Sequence, residues 1–198
     1  MQTAALGFRA HSGWTAAVAV SLSNGGPSVL DRRRVHLVET FTYEFRQPYH
    51  TAERMPLPQA TKFISRIQDE ADRLALAALR SVQSDLREKG YKLTRFGLLL
   101  SSGRPLPALE QTLASHALIH TADGELFRNA LAYAAERCRL PLTRIKEREL
   151  PEHATKTLRI RPADLTRRLS DLGRPLGPPW SQDEKLSALI AWLSLASV

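Results

Sequence analysis

Leu6-Gly7-Phe8-Arg9-Ala10-His11-Ser12-Gly13-Trp14-Thr15-Ala16-Ala17-Val18-Ala19-Val20-Ser21-Leu22 is the stretch whose reading decides the fold. Leu6 and Phe8 share one parity of an extended segment running from Thr3 to Ala10. Trp14 to Leu22 is apolar on both parities, as in a strand covered on both sides. Only His11, Ser12 and Gly13 separate the two, which is room for a tight turn, so the pair is antiparallel. Beyond it, Ser23-Asn24-Gly25-Gly26-Pro27 offers the positive-φ positions of a second hairpin turn. Val29 to Glu39 follows with charges on both parities, which suits an edge strand with one face in water. Residues 1–40 are therefore expected to form a three-stranded meander.

Further along, residues 40–58 hold Pro48, Pro56 and Pro58 with Tyr43, Tyr49 and His50 among them, and read as an ordered loop of functional length. Over residues 59–90, Phe63, Ile67, Ala71, Leu74, Ala78, Val82 and Leu86 step by three or four, and Gly90 stands where a helix ends. Thr94 to Leu100 gives a fourth strand, apolar on both faces and hence central. A long helix between two strands implies a right-handed crossover and parallel pairing. Within 94–147 the order is strand, helix, helix, strand. A short helix opens near Pro107, Thr121 is expected to cap the next, and Leu142 to Glu147 is the fifth strand with Ile145 inward. Residues 162–198 give two helices joined by the stiff Gly173-Arg174-Pro175-Leu176-Gly177-Pro178-Pro179. The last opens with a Ser181/Glu184 capping box. No repeat interrupts this order, so residues 1–198 read as one α/β domain with a mixed five-stranded sheet.

Composition narrows the classes of function. The chain has 198 residues, 43% hydrophobic and 24% charged, ordinary for a globular domain. Its single cysteine, Cys138, excludes an internal disulfide and a four-thiolate metal centre. No apolar run of about 18 residues marks a membrane span, and the opening lacks a basic region followed by an apolar one, so a cytoplasmic location is expected. Lys and Arg number 28 against 20 acidic residues, a net charge of +8 that favours an anionic partner. On the third strand Arg32 and Arg34 fall on one face and Arg33 on the other. Trp14 reads as core, whereas Trp180 and Tyr49 are the aromatic candidates for stacking on bases.

The order of elements resembles the ribonuclease H-like superfamily, nearest in layout to its Holliday-junction-resolvase branch. Leu6-Gly7-Phe8-Arg9 stands where that branch opens Leu-Gly-Ile-Asp, and Asp183-Glu184-Lys185-Leu186-Ser187-Ala188 is similar to the acidic start of its last helix. The resemblance implies two divalent metals held by carboxylates from strand one, the end of strand four and the last helix. This chain departs from that pattern. Arg9 takes the first position, strand four ends Leu99-Leu100-Ser101-Ser102 without an acid, and only Asp183 and Glu184 remain. A guanidinium repels a metal and cannot ligate it, so the expectation is a domain that binds a phosphate-rich partner without two-metal hydrolysis, with neither metal nor cofactor. Arg9, Arg32, Arg34 and Arg104 are the candidate phosphate contacts, with an ion pair from Arg9 to Asp183 or Glu184 as the competing role.

Two alternatives stay open. His116 and His120 are four apart, and with Glu125 and His11 would make a histidine-based hydrolytic site for a small anionic substrate, or hold one metal. The competing role is capping across a helix end. The apolar last helix, Leu186 to Ala196, would instead dock on a protein partner or a second copy.

Overall fold

The computed structural model describes residues 1–23, 26–101 and 105–196. Strands β1 (Gln2–His11), β2 (Trp14–Ser23) and β3 (Gly26–His36) form the antiparallel meander. β4 (Tyr91–Leu100) and β5 (Leu142–Lys146) add in parallel, giving the order β3-β2-β1-β4-β5. The mixed five-stranded sheet expected from the sequence is thus present, with the charged β3 on an edge and β1 and β4 in the middle.

Strand alternation divides the core in two. Ala4, Leu6 and Phe8 of β1 face the crossover helix α3 (Leu57–Glu88) and α5 (His116–Arg137). Ala5 of β1 packs on the opposite side, beneath α8 (Gln182–Ala196), α6 (Leu150–Leu158) and α7 (Pro162–Leu172). The buried stripe of α3 is Ile64, Ile67, Ala71, Ala75, Leu79, Val82 and Leu86, rotated from the expected one so that Leu74 and Ala78 lie at its margin. Alanine at the centre of the stripe lets the helix lie close to the sheet.

Three segments differ from expectation. Residues 40–58 are not one loop but carry α1 (Tyr43–Arg46) and α2 (Pro48–Ala52), turns too short to show a period. Thr121 does not cap a helix: α5 begins five residues earlier at His116, and the Thr121 hydroxyl donates to the Ala117 carbonyl within it. The helix-breaking look of Asp123-Gly124 is overridden because Asp123 is buried and Arg128 lies over Gly124. Between β5 and α7, α6 escaped the sequence reading altogether.

The apolar last helix is consumed inside the fold. Ser187 through Ser194 are all buried, between the sheet on one side and α6 and α7 on the other. A helix apolar all round is a buried helix, so the partner-docking expectation for Leu186–Ala196 is corrected by this covering. α4 (Leu109–Leu113) completes the described helices, none of which is long and apolar enough to cross a membrane.

The approach of α8 depends on two paired glycines. Gly7 of β1 pairs with Gly97 of β4. A Cβ at Gly7 would fall 2.0 Å from the Ser187 carbonyl oxygen, and one at Gly97 would fall 2.8 Å from Ile190 Cγ1 and Ser194 Oγ. Backbone cannot yield there as a side chain would. Gly7→Ala is therefore expected to lower stability by about 2–3 kcal/mol, read as a drop in the urea midpoint; an unchanged midpoint would show that α8 can lift without cost.

Candidate functional site

Arg9, His11 and Asp183 converge on the α8 side of the sheet, where β1 ends. Residues of β1 alternate, so Arg9 and His11 share the face of Ala5 and Gly7 while Phe8 and Ala10 turn to the other core. The Ser181/Glu184 capping box is present: the Ser181 hydroxyl accepts from the Asp183 N–H, and Glu184 bonds back to Ser181. That cap fixes the first turn of α8 and leaves the Asp183 side chain to reach β1. Glu147, just past β5, completes the group.

Arg9 is held at both ends of its guanidinium. Nε and Nη2 donate to the two Glu147 oxygens at 2.9 and 2.8 Å, a bidentate fork, while Nη1 donates to Asp183 Oδ1. His11 Nε2 lies 3.0 Å from the same Asp183 oxygen and 3.1 Å from Arg9 Nη1. Of the two acids offered as ion-pair partners, Asp183 is used and Glu184 is spent on the cap. The hydrogen bond to Glu147 is the main influence raising the Arg9 pKa above its ordinary value, against the opposing effect of burial. Burial by itself would raise the Asp183 carboxyl; hydrogen bonds from His11 and Arg9 with their positive charge outweigh it and hold the group below the usual carboxylate range.

An arginine–aromatic row continues across the sheet from His11. The Trp14 ring, opposite His11 in the hairpin, stacks on its imidazole at 4.3 Å between centroids. Arg34, exposed on β3, places its guanidinium 3.7 Å from the Trp14 ring centre. Trp14 is therefore half-buried surface and not core, because it is the first residue of β2 and lies outside the cluster that α8 covers. The aromatic candidates exchange places with it. Trp180 packs on Gly173 and donates to the Leu169 carbonyl, and Tyr49 packs against the core, where burial raises its hydroxyl pKa.

The other candidate residues are placed as follows. Arg32 shares the face of Arg34, but its guanidinium donates to the carbonyls of Leu176, Gly177 and Pro179, clamping the linker before α8. Arg33, on the other face, pairs with Asp31 and Asp85. Arg104 lies outside the described residues. His11, His116, His120 and Glu125 do not assemble into one site, since the sheet stands between His11 and the α5 residues. Glu125 pairs with Arg128 and accepts from the Ser101 hydroxyl, which ties the end of β4 to α5. His116 and His120 instead meet His50 of α2, with their Nε2 atoms 3.0 Å apart. Glu147 and His50 were the residues sequence reasoning missed. One acid among several after a strand, and a histidine in a proline-rich stretch, carry no periodic signal.

The Arg9 group makes acid sensitivity testable. Asp183 has its folded pKa depressed, so the stability it contributes is present above the unfolded carboxyl value of about 4 and is lost as pH falls through the folded value. Asp183→Asn is expected to flatten the fall in urea midpoint below about pH 4; an acid limb as steep as the parent's would remove Asp183 as its source. Arg9→Met, which leaves the Glu147 and Asp183 carboxylates facing each other, is expected to cost about 1 kcal/mol near neutral pH, a small figure because Glu147 is 40% exposed.

No protein-family model matches the chain, and no curated protein matches it. Among solved structures, Thermus thermophilus RuvC bound to a Holliday-junction substrate superposes with a TM-score of 0.53 at 11% identity, over 98% of this chain and 93% of that one. A second structure of Thermus thermophilus RuvC gives 0.52 at 10% identity, with the same coverage. With the sheet order β3-β2-β1-β4-β5 and helices on both faces, the chain has a ribonuclease H-like fold in the arrangement of RuvC.

Proposed function

We propose that this domain binds nucleic acid on the face where β1 ends and does not cut it. The observation that carries the reading is Arg9, locked between Glu147 and Asp183 at the strand-one position where nucleases of this fold place a metal-binding carboxylate. A divalent ion bridges two carboxylates with positive charge; here a guanidinium does so permanently, and it supplies neither an activated water nor a Lewis acid. Asp183 and Glu147 spend their charge on Arg9 and His11. Hydrolysis by paired metals has no cage left to run in.

Binding rests on the neighbouring row. Arg34 is exposed and pairs with no carboxylate among the described residues, so its charge faces outward. Trp14, sandwiched between His11 and Arg34, holds that guanidinium in place, and the net charge of +8 supplies long-range attraction to phosphate. Arg9 acts here by position: it keeps Asp183 neutralised and His11 stacked on Trp14, so that the acids do not repel the backbone of the ligand. Of the four arginines expected to contact phosphate, Arg34 is the one this reading keeps as a direct contact among the described residues. Arg32 serves the fold. The RuvC structure with its junction substrate makes branched DNA the first ligand to try.

The test uses a fluorescein-labelled four-way DNA junction and single-stranded DNA of equal length. Affinity is expected to fall steeply with salt, and Arg34→Ala to reduce the slope of log K against log salt by about 1. Trp14→Ala, which removes the ring that holds the Arg34 guanidinium, is expected to weaken junction and single-strand binding alike, by no more than Arg34→Ala does. In magnesium or manganese the labelled strands should stay intact. Metal-dependent cutting that Asp183→Asn abolishes would overturn the reading, as would binding indifferent to salt.

A further inference from the structure

On the far side of the sheet from Arg9, three histidines from two helices meet. His116 opens α5 and His120 follows one turn later, so both rings project from the same face. His50 of α2 packs edge-on against both, with ring centroids 5.4 Å from His116 and 4.4 Å from His120. One ring nitrogen from each of the three lies within 4.8 Å of the others. Two imidazole nitrogens on one tetrahedral ion, each about 2.0–2.1 Å from it, sit about 3.3 Å apart. The His116 and His120 Nε2 atoms are 3.0 Å apart. That distance fits a hydrogen bond between the two rings, and with both nitrogens presented as acceptors it also fits a shared cation.

The carboxylate beneath them supplies what a metal-binding histidine needs. Asp123, one turn beyond His120 on α5, is buried and accepts a hydrogen bond from His50 Nδ1 and another from the Tyr49 backbone N–H at 2.7 Å. The Asp123 side chain is only 3% exposed and that of His50 only 10%. With Nδ1 committed to a carboxylate, Nε2 is the nitrogen His50 presents, its tautomer and ring angle set from below; this is the arrangement of a carboxylate–histidine–metal unit.

We propose that His50, His116 and His120 bind one divalent transition-metal ion of the zinc class, with Asp123 as the positioning residue for His50. Three imidazoles are borderline-soft nitrogen donors, the set that favours zinc, cobalt or copper over magnesium and calcium, which require oxygen. His116 and His120 are exposed, so a fourth coordination position opens to solvent and takes water or an anionic oxygen ligand. The ion pins α2 to α5. That bond adds to the packing of Phe45, Tyr49 and Ala52 that already seats α1 and α2 on the core. The site is independent of the nucleic-acid reading, because the Arg9 group lies across the sheet and shares no residue with it.

The experiment uses the full chain made without a polyhistidine tag, stripped with a chelator and titrated with cobalt(II), then with zinc against a chromophoric competitor. One equivalent of cobalt is expected to give the intense visible bands of four-coordinate geometry, and zinc to displace it and raise the melting temperature. His116→Ala and His120→Ala, both at exposed positions that folding does not need, are expected to lower zinc affinity at least a hundredfold. Asp123→Asn is expected to lower it about 10–100-fold with the cobalt bands retained. His153→Ala, an exposed histidine on α6, should change nothing. A cobalt spectrum of six-coordinate, water-like type, or zinc binding that survives both His116→Ala and His120→Ala, would overturn the proposal. Loss of DNA binding with the metal titration intact would sink the nucleic-acid reading alone.

Discussion

Helix α8 lies with its backbone almost touching the backbone of β1 and β4, because Gly7 and Gly97 leave no Cβ between them. This contact sets the depth and the angle of the helix. Ser187 donates to the Ala16 carbonyl at 3.1 Å, so the helix is also registered on β2. From that placement the first turn of α8 falls beside the end of β1, and Asp183 meets Arg9 and His11. The polar group is therefore a consequence of apolar packing. Ile190, wedged over both glycines, does as much to build it as the charges do.

At that edge the balance of charge differs from what a basic protein would suggest. Arg9 answers two carboxylates, Glu147 and Asp183, and His11 shares the second. Outward charge comes instead from Arg34, exposed over Trp14 and without a carboxylate partner among the described residues. Elsewhere the same residue type is architectural: Arg32 holds three carbonyls of the linker, Arg33 joins β3 to α3, and Arg128 covers Gly124. Counting arginines predicts attraction to an anion. Only their partners reveal which of them are free to act on it.

The two polar clusters illustrate how differently sequence spacing informs about sites. His116 and His120 were visible as a pair because a helix converts a spacing of four into neighbours. Their third member lies 66 positions before His116, on a helix of five residues, and their carboxylate is Asp123, not the nearby Glu125. Likewise Arg9 stands out as a departure from the resembling pattern and Asp183 as a part of it that remains, while Glu147 does not, since nothing local distinguishes it from the acids around it.

Periodicity over long segments was enough to establish the meander, the crossover helix, the central β4 and the capping box of α8, because each is a repeated or local pattern that the chain must satisfy wherever it folds. The resemblance of the opening strand, rather than periodicity, is what singled out Arg9. The tertiary structure decided the rest: that α5 runs unbroken through Gly124, that α8 is covered rather than available, that Trp14 is surface and Trp180 is packed, and that His11 and His116 lie on opposite faces. These are matters of which distant groups meet across a sheet. Side chains separated by a hundred residues become neighbours only through the packing of whole elements, and no spacing along the chain encodes that.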